Sequence, residues 1–159
     1  MFSNRMVLGG LCVAGVVAAI GTAARADSIN TSGVACKNYN AGEALDIDYQ
    51  TWGVQNINAS PRSVVCPVPR SPLTGAAPFP EFWVDGMNVA GTTTSCCAML
   101  FDFDGTFLSS VCWSEGAASL WSQPVTFSIK PSTFHYVNLL CTLPGNRGGT
   151  ILGATAVGQ

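Results

Sequence analysis

With an export signal set aside, six cysteines remain in this chain: Cys36, Cys66, Cys96, Cys97, Cys112 and Cys141. Their number constrains the fold more than any other feature. An even set of cysteines in an oxidising compartment pairs into disulfides by default, and six allow 15 connectivities. The competing use of cysteine, a zinc knuckle, needs pairs separated by two residues or histidine partners. This chain has one histidine, His135, and no such pair, so no metal and no cofactor is expected.

The export signal is read from the first 26 residues. Arg5 supplies a short positive region, Met6 to Ala24 carries no charge, and Ala24-Arg25-Ala26 has the small-x-small pattern that a signal peptidase reads. Cleavage after Ala26 removes Cys12 with the signal and leaves residues 27–159 as one domain, secreted or periplasmic, with no membrane span. Lys37, Arg62, Arg70, Lys130 and Arg147 then face nine acidic residues, for a formal charge of −4. Five scattered cations cannot track a phosphate backbone, so nucleic acid is not an expected partner.

No segment of residues 27–159 keeps apolar residues at helical spacing for three turns. Short runs rich in Val, Ile, Thr and aromatic residues recur instead, closed by Gly, Pro, Asn or Asp. The spacing predicts strands over Leu45–Ile57, Ser63–Val68, Phe82–Val89, Ser95–Phe103, Thr106–Trp113, Ser119–Ile129, Phe134–Leu143 and Thr150–Val157. Eight strands in one small domain favour an all-β, antiparallel two-sheet β-sandwich of jelly-roll or immunoglobulin-like type, stapled by disulfides. Both faces of Phe134–Leu143 are mostly apolar, which marks a central strand. Pro67 and Pro69 lack amide donors and belong at an edge or a strand end. Ser71 to Pro80, with three prolines, reads as the longest loop.

Three segments together carry a resemblance: Tyr49 to Asn56 (YQTWGVQN), Val65 to Arg70 (VCPVPR) and Tyr136 to Pro144 (YVNLLCTLP). In this order they resemble a group of small exported bacterial proteins of undetermined activity. The resemblance implies a secreted β-sandwich with disulfides and supplies no reaction.

Met99 to Phe107 (MLFDFDGTF) matches the first motif of haloacid dehalogenase phosphatases, in which the first Asp attacks phosphorus and the second is an acid/base. That chemistry also needs downstream acids and a lysine. After Asp104 the chain has only Glu115 and Lys130, so the match at 102–106 is read as coincidence and the segment as a β-hairpin turning at Asp-Gly. An EF-hand is excluded, because Phe107 and Trp113 stand where its Gly and bidentate Glu belong.

The hairpin selects the disulfides. A two-residue turn at Asp104-Gly105 sets Phe103 opposite Thr106 and Cys97 opposite Cys112, whereas a three-residue turn sets Cys96 opposite Cys112. The Asp-Gly pair favours the shorter turn. Cys96, pointing to the other face, then takes Cys141, and Cys36 is left with Cys66.

His135 lies in a strand pattern and is expected to pack or hydrogen-bond. No serine sits in a Gly-x-Ser-x-Gly elbow. Trp52, Trp83, Trp113 and Trp121 are the candidate contact aromatics, with one or two expected to be partly exposed. The function expected is non-catalytic: an exported sandwich that binds a protein or glycan, or associates with itself by adding the tail from Gly148 to Gly158 as an edge strand. A glycan-binding module and a small secreted hydrolase are the alternatives. Exposed aromatics lining one face would favour the first of these.

Overall fold

The computed structural model describes residues 28–68, 82–129, 132 and 134–157. The expected signal peptide at 1–26 and the Ser71–Pro80 loop lie outside them. Eleven strands form among the described residues: β1 (Ser28–Ser32), β2 (Lys37–Asn38), β3 (Ile47–Gln50), β4 (Gly53–Asn56), β5 (Arg62–Pro67), β6 (Phe82–Asn88), β7 (Thr94–Phe101), β8 (Phe107–Glu115), β9 (Leu120–Val125), β10 (Tyr136–Leu143) and β11 (Gly149–Val157). Two short 3₁₀ turns, Gly33–Ala35 and Ala41–Asp46, interrupt the early strands.

All pairings are antiparallel and fall into two sheets. One runs β3-β4-β11-β6-β9, with β1 also paired to β11; the other runs β2-β5-β10-β7-β8. Alternation sends one side of each strand inward. Val54, Phe82, Val84, Val125, Ile151 and Ala156 of the first sheet meet Val64, Ala98, Leu100, Leu139 and Leu143 of the second in one buried core. This is the disulfide-stapled β-sandwich that the strand spacing predicts.

The residues expected to form one strand from Leu45 to Ile57 form two. Gln50 pairs with Gly53, so Thr51-Trp52 turns the chain back, and neither residue is a usual turn former. Leu45 lies in a 3₁₀ turn with its side chain in solvent. The polar strand β1 and the two-residue β2 carry no apolar alternation and were not expected. Pro67 ends β5, and Pro124 sits on β9, the edge of its sheet, both places where a missing donor costs no interior ladder bond.

The tail forms the strand expected over Thr150–Val157, but at the centre of its sheet. β11 is paired along both sides, to β6 on one and to β4 and then β1 on the other. A strand at the centre of a sheet has no spare hydrogen-bonding edge, so this segment is not the added edge strand for self-association. Its ladder breaks once, at a bulge between Ile151 and Gly153, where β4 gives way to β1.

The disulfides join Cys36 to Cys66, Cys96 to Cys141 and Cys97 to Cys112. The first two lie in the core, every residue at most 4% exposed. Cys97 and Cys112 lie on the outer face of the five-stranded sheet, half-buried and exposed respectively.

One end of the sandwich is closed by buried amides. Asn56, fully buried, donates from Nδ2 to the Ser60 carbonyl at 2.8 Å and to the Leu143 carbonyl at 3.3 Å, and its Oδ1 accepts from the Asn58 amide at 2.9 Å. Asn88 donates to the Glu115 carbonyl at 2.8 Å and accepts from the Thr94 hydroxyl at 2.6 Å. Each amide joins segments of both sheets, so this end is tied by hydrogen bonds that water cannot replace.

Candidate functional site

The opposite end is built by the β7–β8 turn. Asp102 donates its amide to the Thr106 carbonyl at 2.8 Å, and Gly105 donates to the Asp102 carbonyl at 3.0 Å. The loop is therefore Phe103-Asp104-Gly105, three residues, with Gly105 at φ 87°, a conformation that glycine adopts without the clash of a Cβ. Both carboxylates cap this turn. Asp102 Oδ1 accepts from the Phe103 amide at 2.7 Å, and Asp104 Oδ1 from the Thr106 amide at 2.8 Å. The Thr106 amide holds the Asp104 carboxyl below the usual carboxylate range.

A three-residue turn alone would align Cys96 with Cys112, yet Cys97 faces Cys112. The reason is a second irregularity. Phe101 pairs with Phe107 but Leu100 pairs with Ser109, so Leu108 is an extra residue that moves the register by one. Leu108 turns toward the core on this bulge. The disulfide matches the expected one while the turn that was to produce it does not, because two one-residue changes cancel.

The same register gathers aromatic rings that are far apart in sequence. Tyr136 pairs with Phe101, and Phe101 with Phe107, in one row across the outer face of the five-stranded sheet. Phe101 meets Phe107 edge-on with ring centroids 5.8 Å apart, and Phe103 at the loop tip meets Phe134 at 6.5 Å. Phe103, Phe107, Phe134 and Tyr136 are each between 54% and 67% exposed. An open groove of about 500 Å³ runs among Phe101, Phe103, Gly105 and Tyr136, with Asp102 and Asn138 as its polar walls. Ring faces offer apolar contact, while a carboxylate and an amide accept and donate hydrogen bonds in fixed planes.

His135 stands behind this groove. Its Nδ1 accepts from the Ser132 amide at 2.9 Å, and its Nε2 is 4.0 Å from Asp102 Oδ1. The lone pair that a general base would need at Nδ1 is thus taken by the backbone, and Nε2 faces a carboxylate. The arrangement holds Asp102 and the segment before β10 together.

The tryptophans fall elsewhere. Trp121 is buried beneath the backbone of Gly86, where an added Cβ would come within 2.1 Å of its ring. Trp113 is opposite Cys96 and packs against the core. Trp121 is thus withdrawn from solvent, whereas Trp113 is half-buried and lines an open groove beside Cys112. Trp83 is half-buried on β6 of the other sheet. Trp52 is exposed on the β3–β4 turn, apart from the groove. The exposed rings around the groove are phenylalanine and tyrosine, which were not among the expected contact aromatics. The usable signal was the run Phe101, Phe103 and Phe107, three large apolar residues around a turn where polar ones are usual.

Among the described residues, no three His, Cys, Asp or Glu side chains gather into a metal-binding group, and no helix is long and apolar enough to cross a membrane. No family model and no curated protein matches the chain. Among solved structures, the carbohydrate-binding module TmCBM61 in complex with beta-1,4-galactotriose is similar at a TM-score of 0.38 and 12% identity, over 82% of this chain and 83% of that one.

Proposed function

We propose that this protein is an exported, non-catalytic binding module that recognises a neutral glycan at the aromatic end of its five-stranded sheet. The observation that carries the reading is the convergence of Phe101, Phe103 and Tyr136 on a groove walled by Asp102 and Asn138, with Phe134 against the Phe103 ring. Sugar rings present C–H faces that suit aromatic contact and hydroxyls that suit carboxylates and amides, so each wall has a partner. The charged groups described around the groove are acidic, which opposes an anionic ligand and leaves a neutral one. Three disulfides agree with a secreted or periplasmic site of action. The non-catalytic reading rests on Asp102 and Asp104 serving as turn caps and on the Nδ1 of His135 accepting a backbone amide.

Affinity electrophoresis of residues 27–159 through gels containing neutral polysaccharides tests this. At least one should retard the protein, and Tyr136→Ala or Phe103→Ala should weaken retention about tenfold, the worth of one aromatic contact of about 1.4 kcal/mol. Equal retention of both variants, or none by any polysaccharide, defeats the glycan reading. A second reading, a protein partner, is favoured by one feature: β8 is a nine-residue edge strand with a single charge, Glu115, and one side unpaired. Capture of a protein that Tyr136→Ala abolishes, without glycan retention, selects it.

A further inference from the structure

The three disulfides differ in their surroundings, and the difference has chemical consequences. Thiol–disulfide exchange requires a thiolate to reach one sulfur. Cys36, Cys66, Cys96 and Cys141 are at most 4% exposed, which bars that approach in the folded protein. Cys112 is exposed and Cys97 half-buried. An open groove of about 290 Å³ lies over their bond, between Ser95, Ser114, Leu140 and Thr142.

Opening that bond also disturbs the fold least. It closes the shortest loop, with a sequence separation of 15 against 30 and 45 for the other two, so it removes the least entropy from the unfolded chain. The strands it joins are paired on both sides of it, from Thr94↔Glu115 to Leu100↔Ser109, and β7 is also paired to β10. The core bonds also join paired strands, with Cys96 directly opposite Cys141, but their half-cystines are buried, so opening either would disturb packed volume.

We infer that Cys97–Cys112 is a thiol-exchange site, opened by a small dithiol or a dithiol oxidoreductase while the sandwich stays folded. The dithiol's thiolate attacks Sγ of Cys112, the more exposed residue of the pair. A mixed disulfide forms, the Sγ–Sγ bond breaks, and its electron pair leaves on Cys97 Sγ, which takes up a proton. The second thiol of the reductant, as thiolate, then attacks its own partner sulfur and expels Cys112 as a thiolate, which is protonated in turn. The protein gains two thiols and the dithiol becomes a disulfide, so the exchange balances. Its result is to free β8, the edge strand bearing Phe107, from its covalent tie to β7. This inference does not depend on what the aromatic groove binds.

The test uses residues 27–159 in native buffer with graded dithiothreitol, acid quenching, alkylation and peptide mass mapping. Cys97 and Cys112 should be alkylated together at concentrations that leave the other four cysteines bridged, with the near-ultraviolet circular dichroism retained. In parallel, glutathione should be trapped as a mixed disulfide on Cys112. In denaturing urea all three bonds should open alike, because the selectivity comes from the fold. Opening of either core bond first, opening of all three together in native buffer, or reduction only with loss of the native spectrum overturns the inference. Trapping of glutathione on Cys97 overturns the direction of attack, and the same preference in urea overturns the structural cause.

Discussion

The two ends of the sandwich are made from the same strands and solve opposite problems. β7 and β10 both run from one end to the other: Thr94 and Leu143 lie at the end closed by Asn56 and Asn88, and Phe101 and Tyr136 at the end with the groove. At the closed end, the Asn56 and Asn88 amides are buried and hydrogen-bonded while apolar side chains are inside. At the open end, large apolar side chains stand in solvent and the polar ones cap a turn. Burial of a polar group demands partners, so the closed end is held together. Exposure of aromatic rings contributes nothing to folding, so the open end is available for a ligand.

This contrast predicts an asymmetric response to substitution. Asn56→Ala strands the Asn58 amide and the Leu143 carbonyl and should cost about 3 kcal/mol in urea unfolding, and Asn88→Ala, with two bonds, about 2 kcal/mol. Phe103→Ala and Phe134→Ala, at the open end, should change stability by no more than about 0.5 kcal/mol. Comparable losses at both ends would erase the distinction. Amide exchange should draw the same line more finely. The amides of Asn146 and Arg147, bonded to the Asn58 and Asn56 carbonyls, should exchange slowly, and that of Asp104 at the hairpin tip within the dead time. A protected tip would indicate that the aromatic loop is ordered by something other than its own turn.

The smallest effect is in pH, and it reaches both ends. The hydrogen bond from Arg62, with a second from Asn58, lowers the Asp46 carboxyl near the closed end, as the Thr106 amide lowers Asp104 at the open one. A carboxyl lowered by folding stabilises the fold above its ordinary value of 3.8, and the contribution disappears as pH falls through the lowered value. Carbon-detected titration should place both midpoints below that value, and Asp104→Asn should abolish the tip's acid response while leaving that of Asp46. An ordinary midpoint at Asp104 would mean that its cap on Thr106 is not formed.

How much of this was legible in the sequence can be argued from particular residues. The apolar residues of Phe134–Leu143 mark a central strand, and β10 is one, paired to β5 and β7, although its outer face at Tyr136, Asn138 and Thr142 stands in solvent because a sandwich covers each sheet on one face only. The turn at Thr51-Trp52 escaped because its signal is geometric and its residues are ordinary strand formers. Asp104-Gly105 does mark a turn, but its length is decided together with the Leu108 bulge. No local rule places an extra residue two positions beyond a turn. The aromatic site was hidden for a related reason: Phe101, Phe107 and Tyr136 become neighbours only through a register that the sequence does not display. Tryptophan, the largest ring, drew attention to Trp113 and Trp121, where size serves packing.

The place of β11 affects how the chain reaches this structure. It is the latest strand along the described chain, yet it stands between β4 and β6. Until residues 149–157 emerge, the hairpin of β3 and β4 and the pair β6 and β9 have no common neighbour, and each presents a raw edge. Assembly of that sheet is therefore a closing event, governed by contacts between Ser28–Ser32 and Gly153–Val157 across nearly the whole described length. Such long-range pairing forms more slowly than local hairpins. A partly emerged chain therefore cannot complete this sheet, and the native arrangement is reached only once Gly149–Val157 has arrived.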